Sequence, residues 1–504
     1  MTILNDAFCG SLSLPHNPEI RCVTDLPGDI LLLIVSYLEA WDVRRCQFVS
    51  LTWRDVFSRD QYLKQALKKY TGIRRNDSRA LDVLFNEIAA RYFHLSRGKV
   101  RTIERHKLRA LDQTSNWFPI PQWDYHESQP TGRLYYENAT ALRASATKPH
   151  LFRPTLWSYD DGLLVFAPAE SSRFVVLNLD TKTSGEVPFD IAGRVVRNIR
   201  LKDRTLIVEW AEPQPFHELN LVEKVHRHFA TCFDVNEDVC IVLRSEWKTH
   251  FLGLPLSHQD YFFSTHDKQH YVWYLWQPNR SLWTGDEDMP IEALFVWDIA
   301  KPSDYLPSQD PSNARRPDNG WGPQMVARFS FRELDFLGVR QHSSITLMSL
   351  EVDSDARSLT IRGNRHESGQ GYFDPAERAW RSTATTFPFI GEGPILRRQA
   401  QDQLPPYRGH CSMESAVLEP TEKWFLPIVD VHDSDADVRF SLIETCFTGQ
   451  MPNRTILRVK ALGRWIDLED RIVQEIGGMG RIAGDERWLI GQNSMMDVVV
   501  ARFQ

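Results

Sequence analysis

The chain has 504 residues, 42% of them hydrophobic and 25% charged, an ordinary globular composition that excludes a wholly disordered protein. Its net charge of −7, from 59 basic and 66 acidic side chains, argues against a chain that binds polyanions along its whole length. The charge is uneven: residues 1–58 sum to −3, residues 59–109 to +9 (14 basic, 5 acidic), and the remainder to −13.

Residues 1–20 mix Pro, Asn, Ser and Gly without period and read as a flexible tail. They have no basic start and include Asn5, Asp6 and Gly10, so no signal peptide is expected. The run Ile30 to Val35 is too short to span a bilayer. Seven Cys (9, 22, 46, 232, 240, 411 and 446) are scattered without a CxxC, the usage of a reducing compartment. A soluble protein of the cytoplasm or nucleus is expected. The sequons at Asn76, Asn138, Asn279 and Asn453 carry no weight without secretion.

Residues 21–58 read as one small helical module. Pro27 suits a first helical position and Asp29 complements a helix N-terminus. Leu26, Ile30, Leu33, Ile34, Tyr37 and Leu38 recur at helical spacing. Leu31 and Leu32 widen that stripe beyond what one small core needs, so the helix calls for a second partner. Asp42 opens a second short helix with Val43, Cys46 and Val49 inward, and Trp53, Val56 and Phe57 belong to a third. A unit this small lies near the size limit for independent folding, and burial against another protein would stabilise it.

Leu26-Pro27, Asp29, Ile30, Ile34, Tyr37-Leu38, Glu39, Asp42-Val43, Val49 and Trp53-Arg54 together resemble the F-box pattern. That pattern runs from Leu-Pro and an acidic residue into a hydrophobic helix ending Tyr-Leu. An acidic-Pro-x-Asp-Leu turn and Val-Cys-x-x-Trp-Arg follow. The sequence departs from it at Ala40 for Pro, Val43 for Leu and Ser50 for Cys. The resemblance implies docking on the Skp-type adaptor of SCF ubiquitin ligases and, through it, on a cullin. It implies adaptor contacts at Leu26, Pro27, Ile30, Ile34, Leu38 and Val43. Val49 and Trp53 share that role, with a purely internal Trp53 as the alternative.

Residues 59–114 read as a basic helical linker. Tyr62, Leu63, Ala66, Leu67 and Tyr70 make one stripe, and Leu81, Leu84, Phe85, Ile88, Ala89 and Tyr92 another, with Gly72 and Gly98 as helix stops. The surplus of Lys and Arg reads as a solvated face complementary to the acidic body. No interleaved aromatic platform suggests base stacking, so no nucleic acid is expected as a partner.

Residues 115–504 read as all-β. Short β-branched and aromatic runs recur roughly every ten residues, among them Leu163–Phe166, Phe174–Leu177, Leu206–Trp210, Val239–Leu243, Tyr271–Tyr274, Ala293–Trp297, Leu359–Ile361, Trp424–Leu426 and Asp497–Val500. Turn signals such as Asp160-Asp161-Gly162, Lys202-Asp203 and Asn236-Glu237-Asp238 separate them. Recurring phrases, such as a strand leading into Leu179-x-Thr181-x-x-x-Gly185, resemble propeller blades. The length allows six to eight blades at roughly 40–50 residues each. Trp123-Asp124 and Trp297-Asp298 look like the dipeptide of WD repeats but lack a Gly-His partner at the right distance. A pair of β-sandwiches is the alternative. Segments 280–325 and 391–420 read as insertions. The fold class is thus α+β: an F-box and helical linker before an all-β propeller-like domain.

No catalytic, metal or cofactor residue is expected. His226 and His228 alternate on one strand face, His266 and His270 are four apart, His410-Cys411 stands alone, and no HExxH occurs. Asp433, Asp435, Asp437 and Glu444 have EF-hand spacing, but Val438 stands where the sharp turn needs Gly, so an acidic hairpin turn is expected. Gly477-Gly478-Met479-Gly480 with Gly484 misses the dinucleotide spacing and reads as an inter-blade turn. By resemblance the protein is a substrate receptor: the F-box grips the adaptor, and the β domain holds a target protein of unknown identity. No membrane partner is expected. A scaffold acting outside ubiquitination, or a propeller enzyme or glycan-binding module, are the alternatives.

Overall fold

Five helices open the chain after a 3-10 turn at Val23–Asp25: α1 (Gly28–Tyr37), α2 (Ala40–Cys46), α3 (Leu51–Phe57), α4 (Asp60–Leu67) and α5 (Leu81–Leu95). The computed structural model describes residues 22–70, 80–109, 156–218, 224–249, 256–257, 260–277, 290–315, 322–341, 347–367, 379–389, 407–408, 423–433, 435–447, 454–477 and 481–503. The expected tail, the four sequons, Gly72, Trp123-Asp124 and His410-Cys411 lie outside them.

Pro27 stands at the N-cap of α1 and Asp29 in its first turn, where a carboxylate favours the helix N-terminus. α2 begins at Ala40, two residues before the expected start. Ser50 caps α3: its hydroxyl accepts the Trp53 N–H at 3.2 Å. The Ser that departs from the F-box pattern thus has a local use.

The inward face of α1 differs from the expected one. Leu31 and Val35, one turn apart, are buried, whereas Ile30, Leu33 and Tyr37 face outward. Period alone cannot tell which apolar stripe is core when both sides of a helix are apolar. The stripes of α4 and α5 match the sequence reading. Tyr62, Leu63, Ala66, Leu67 and Tyr70 are all buried, as are Phe85, Ile88, Ala89 and Tyr92.

The rest is a six-bladed propeller, not a sandwich pair. Its six four-stranded antiparallel sheets follow one another along the chain. Blade I holds Trp157–Asp160, Leu163–Phe166, Arg173–Asn178 and Ser184–Asp190; blade II holds Val195–Lys202, Thr205–Ala211, His228–Val235 and Ile241–Lys248. Blade III holds Tyr261–His266, His270–Gln277, Ile291–Asp298 and Gln324–Ser330; blade IV holds Leu347–Asp353, Ser358–Glu367, Ala379–Pro388 and Tyr407–Arg408. Blade V holds Lys423–Asp433, Val438–Phe447, Arg454–Ala461 and Arg464–Asp467. Blade VI takes Ile482–Gly484, Trp488–Gln492 and Asp497–Arg502 from the end of the chain. Segment 280–325 is therefore not simply an insertion, since it contains the third strand of blade III.

The outermost strand of blade VI is Thr102–Lys107, paired antiparallel with Asp497–Arg502 (Thr102 opposite Arg502, Lys107 opposite Asp497). The expected helical linker thus ends in a strand that closes the ring. Two short helices interrupt the β domain, α6 (Phe331–Phe336) after blade III and α7 (Asp470–Ile476) before blade VI. Gly477 ends α7 and so belongs to a helix terminus. Hydrophobic layers fill the seams between blades. Phe174, Phe189 and Val208 join blades I and II, and Trp247, Tyr271 and Trp273 join blades II and III. The Gly185 of the recurring phrase lies where blade I meets blade II. A Cβ there would stand 2.2 Å from the Val239 carbonyl oxygen. Gly185→Ala is expected to destabilise by about 1–3 kcal/mol through overpacking, read as a lowered Tm.

Candidate protein-docking site

The first three helices bury Leu31, Val35, Ala40, Val43, Val56 and Phe57, joined by Tyr62, Leu63, Ala66, Leu67 and Tyr70 from the linker. A second apolar set points away from it. On α1, Leu33 is 55% and Tyr37 80% exposed, with Ile30 beside them one turn back; Phe48 is 70%, Val49 62% and Leu51 75% exposed around the α2–α3 turn. Six large apolar residues outside the core, within so short a stretch, exceed the scattered singles of an ordinary surface and make this module the candidate docking site.

Of the residues expected at the adaptor contact, Pro27, Ile30 and Val49 are exposed, and Leu26, Ile34 and Leu38 are half-buried and pack against the core. Val49 does not point inward as expected. Val43 is fully buried, so it serves the core and offers no surface to a partner. Trp53 is half-buried and engaged internally: its indole N–H donates to the Cys22 sulfur at 3.2 Å and its ring stacks on Phe57 at 5.3 Å. Phe48 and Leu51 were missed by the sequence reading. Phe48 lies in the α2–α3 turn and Leu51 opens α3, and both side chains stand outside the core.

A chain of contacts ties this module to the propeller. The Ala40 N–H donates to the Tyr70 hydroxyl at 2.9 Å, the Tyr70 ring packs on Tyr92 at 4.5 Å, and the Tyr92 hydroxyl donates to the Ala436 carbonyl at 3.0 Å. Ala436 lies in the turn with EF-hand spacing. Asp433 folds that turn by accepting the N–H groups of Asp435 and Ala436, both at 3.1 Å, and its other oxygen accepts the Glu486 N–H. The acidic segment is a hairpin turn, and α5 docks on it. The helices and blades V and VI share one continuous core that runs from Leu31 to Phe503.

The ion pair Arg91–Glu486, at 2.8 Å and nearly buried, crosses the same junction. Burial pushes the Glu486 carboxyl up toward about 8, with Asp485 and Asp433 adding to it and Arg91 and Arg487 opposing. A carboxyl that ionises near 8 when folded and near 4.5 when unfolded holds its proton more tightly in the fold. Its stabilising contribution is full below about 4.5 and is lost as pH rises through about 8. The Tm is therefore expected to fall between pH 6 and 8.5, and Glu486→Gln to flatten that fall.

One constellation in the β domain has the residue types of a nucleophilic centre. Ser354 lies between Asp267 and His270, with its oxygen 2.6 Å from His270 Nδ1 and its hydroxyl hydrogen-bonded to the Asp267 carboxylate. A carboxylate only accepts, so Ser354 donates to Asp267 and His270 Nδ1–H donates to Ser354. His270 is thus turned as a donor to this hydroxyl, opposite to the general base a serine nucleophile needs. His228 is likewise structural. Its Nδ1 lies 2.9 Å from the His226 carbonyl and its Nε2 3.0 Å from the Arg197 guanidinium, which fixes a neutral ring. Among the described residues, no three His, Cys, Asp or Glu side chains gather as metal ligands.

Residues 23–67 match the F-box-like family model, so the chain carries an F-box-like domain joined to a six-bladed propeller. No curated protein matches it. Among solved structures, a chain of the mitotic checkpoint complex aligns over 71% of this chain and 92% of its own, at 9% identity and a TM-score of 0.31. The acylaminoacyl peptidase of Pyrococcus horikoshii aligns over 66% of this chain and 40% of its own, at 9% identity and a TM-score of 0.27. A luciferin-regenerating enzyme aligns over 70% and 93%, at 8% identity and a TM-score of 0.26.

Proposed function

We propose that the protein is the target-receptor subunit of an SCF-type ubiquitin ligase, working in the cytoplasm or nucleus. The observation that carries this reading is the exposed apolar face of Ile30, Leu33, Tyr37, Phe48, Val49 and Leu51, all outside the module's buried core. The face takes the Skp-type adaptor, with Leu26, Pro27, Ile34 and Leu38 at its edge, and the adaptor brings the cullin. The propeller holds a target protein.

The topology supports that division. The helices join the propeller where Thr102 meets Arg502, at the end of each blade that carries the turn between first and second strands. The paired ends of second and third strands in blades II, III and IV (Ala211 with His228, Gln277 with Ile291, Glu367 with Ala379) stand at the opposite end of their sheets. Because the core is continuous from F-box to blade VI, a target there is held at a fixed distance and orientation from the adaptor. The chain then supplies proximity, which raises the effective concentration of a target lysine at the ubiquitin thioester, and no catalytic side chain of its own.

The test is reconstitution. The chain is mixed with a Skp-type adaptor, a cullin–RING pair and an E2 and passed over a sizing column. One complex containing chain, adaptor and cullin is expected. A complex of chain and adaptor that leaves the cullin behind would instead identify a scaffold acting outside ubiquitination.

A further inference from the structure

Each blade of a propeller ends in an outer strand whose far edge is unpaired, and such edges attract other strands unless they are blunted. In five blades the blunting is visible. Ser184–Asp190 of blade I carries Glu186, Pro188 and Asp190. Ile241–Lys248 of blade II is covered by the chain after blade III's third strand: Ser303 N–H donates to the Arg244 carbonyl at 2.8 Å, Ser308 N–H to Glu246 at 3.0 Å, and Lys248 to Asn313 at 2.8 Å. Tyr407–Arg408 of blade IV has two residues and Arg464–Asp467 of blade V four. Thr102–Lys107 of blade VI is charged and tied down through Arg105–Glu475 and Glu104–Lys182, both at 2.7 Å.

Among the described residues, the stretch Met325–Phe329 of blade III's outer strand has none of these devices. Gln324–Ser330 has seven residues with no proline and no acid, and Gln324, Met325, Val326 and Arg328 are exposed. A bulge at Val326 leaves Ala327–Ser330 in regular register with blade III's third strand. The apolar stripe continues onto α6, where Phe331 and Phe336 are exposed beside Arg332. The local acids are already used: Glu333 binds the Ser330 N–H and hydroxyl, and Asp335 pairs with Arg340. Arg328 and Arg332 have no carboxylate partner among the described residues; their guanidinium groups lie 5.7 Å from the rings of Phe295 and Phe331. Two uncompensated arginines on a body of net charge −13 make this a basic, apolar edge on an acidic surface.

We propose that Gln324–Ser330 and α6 form the docking edge for an extended segment of the target that carries acidic and apolar side chains. The segment lies extended along Met325–Phe329 and α6, since the Ser330 N–H is already held by Glu333. Its acids meet Arg328 and Arg332, and its apolar residues cover Met325, Val326 and Phe331. Naming the partner a target rests on the receptor reading; the edge and its charge do not.

The test uses the full chain and two fluorescein-labelled ten-residue peptides. One alternates Glu with Val and Phe, and the other has Lys in place of each Glu. Fluorescence polarisation is expected to show the Glu peptide binding at least about tenfold more tightly than the Lys peptide, with the advantage shrinking in high salt. Arg328→Glu with Arg332→Glu is expected to reverse the preference, with adaptor binding unchanged as the control for folding. Failure of both peptides to bind, equal binding of the two, or a preference unaffected by the double substitution would overturn the proposal. Self-association of the wild type that the double substitution abolishes would also overturn it, since the edge would then belong to a second copy. Peptide binding that survives while the adaptor fails to bind would refute the receptor reading and leave this edge standing.

Discussion

Leu33→Asp and Tyr37→Asp, made singly, are each expected to weaken binding of a Skp-type adaptor by about 30- to 1,000-fold, the 2–4 kcal/mol of a buried interface anchor. Neither is expected to lower the Tm, because both side chains stand in water in the free protein. The contrast is with Leu31→Asp on the same helix. Leu31 is buried among the module's own core, and a carboxylate there has no partner. That variant is expected to lose the F-box fold and adaptor binding together. Trp53→Ala would be ambiguous for the same reason, since Trp53 holds Cys22 and Phe57 from within. The useful variants therefore lie on α1's outer face. Pull-down with circular dichroism on each variant checks both arms.

Loss of Arg487 is expected to be the most destabilising single change at the ring closure. Its guanidinium meets Asp485 at 2.7 Å, Asp180 at 2.7 Å and Asp161 at 2.9 Å, so one side chain of blade VI clips two turns of blade I. Tyr159 of blade I reinforces the clip by donating to Asp485 at 2.6 Å. The clustered carboxylates hold the Arg487 guanidinium well above its usual range despite burial. Asp161 and Asp180 are about half exposed and can rehydrate, but Asp485 cannot. Arg487→Gln therefore leaves uncompensated buried charge, at a cost of about 3–5 kcal/mol. Asp180→Asn removes only a rim contact and is expected to cost under about 1 kcal/mol. Thermal unfolding of the two variants beside the wild type gives the comparison.

Much of this architecture is legible in the sequence. Helical stripes in α4 and α5, and strand runs such as Leu163–Phe166 and Leu206–Trp210, follow periods that burial on one or both sides imposes. Of the residues the F-box pattern marks for contact, Pro27, Ile30 and Val49 are exposed. Val43 is legible as apolar but not as core rather than contact, because the F-box pattern marks the position without recording its burial. The closing strand Thr102–Lys107 is hidden for another reason. It carries Glu104, Arg105 and Lys107 and is nowhere fully buried, so nothing local separates it from a polar helix. Its identity comes from pairing with residues nearly 400 positions away, which no local period records. The acidic turn at Asp433 is similar: the residues announce a turn, but only the fold shows that the Tyr92 hydroxyl ends there.

The most direct measurement is calorimetric titration of a Skp-type adaptor into the purified 504-residue chain, repeated with Ile30→Asp and Leu33→Asp. The account predicts one-to-one binding by the wild type and its loss in both variants, each with an unchanged Tm. A folded wild type that shows no binding, or binding that both variants retain, would contradict it.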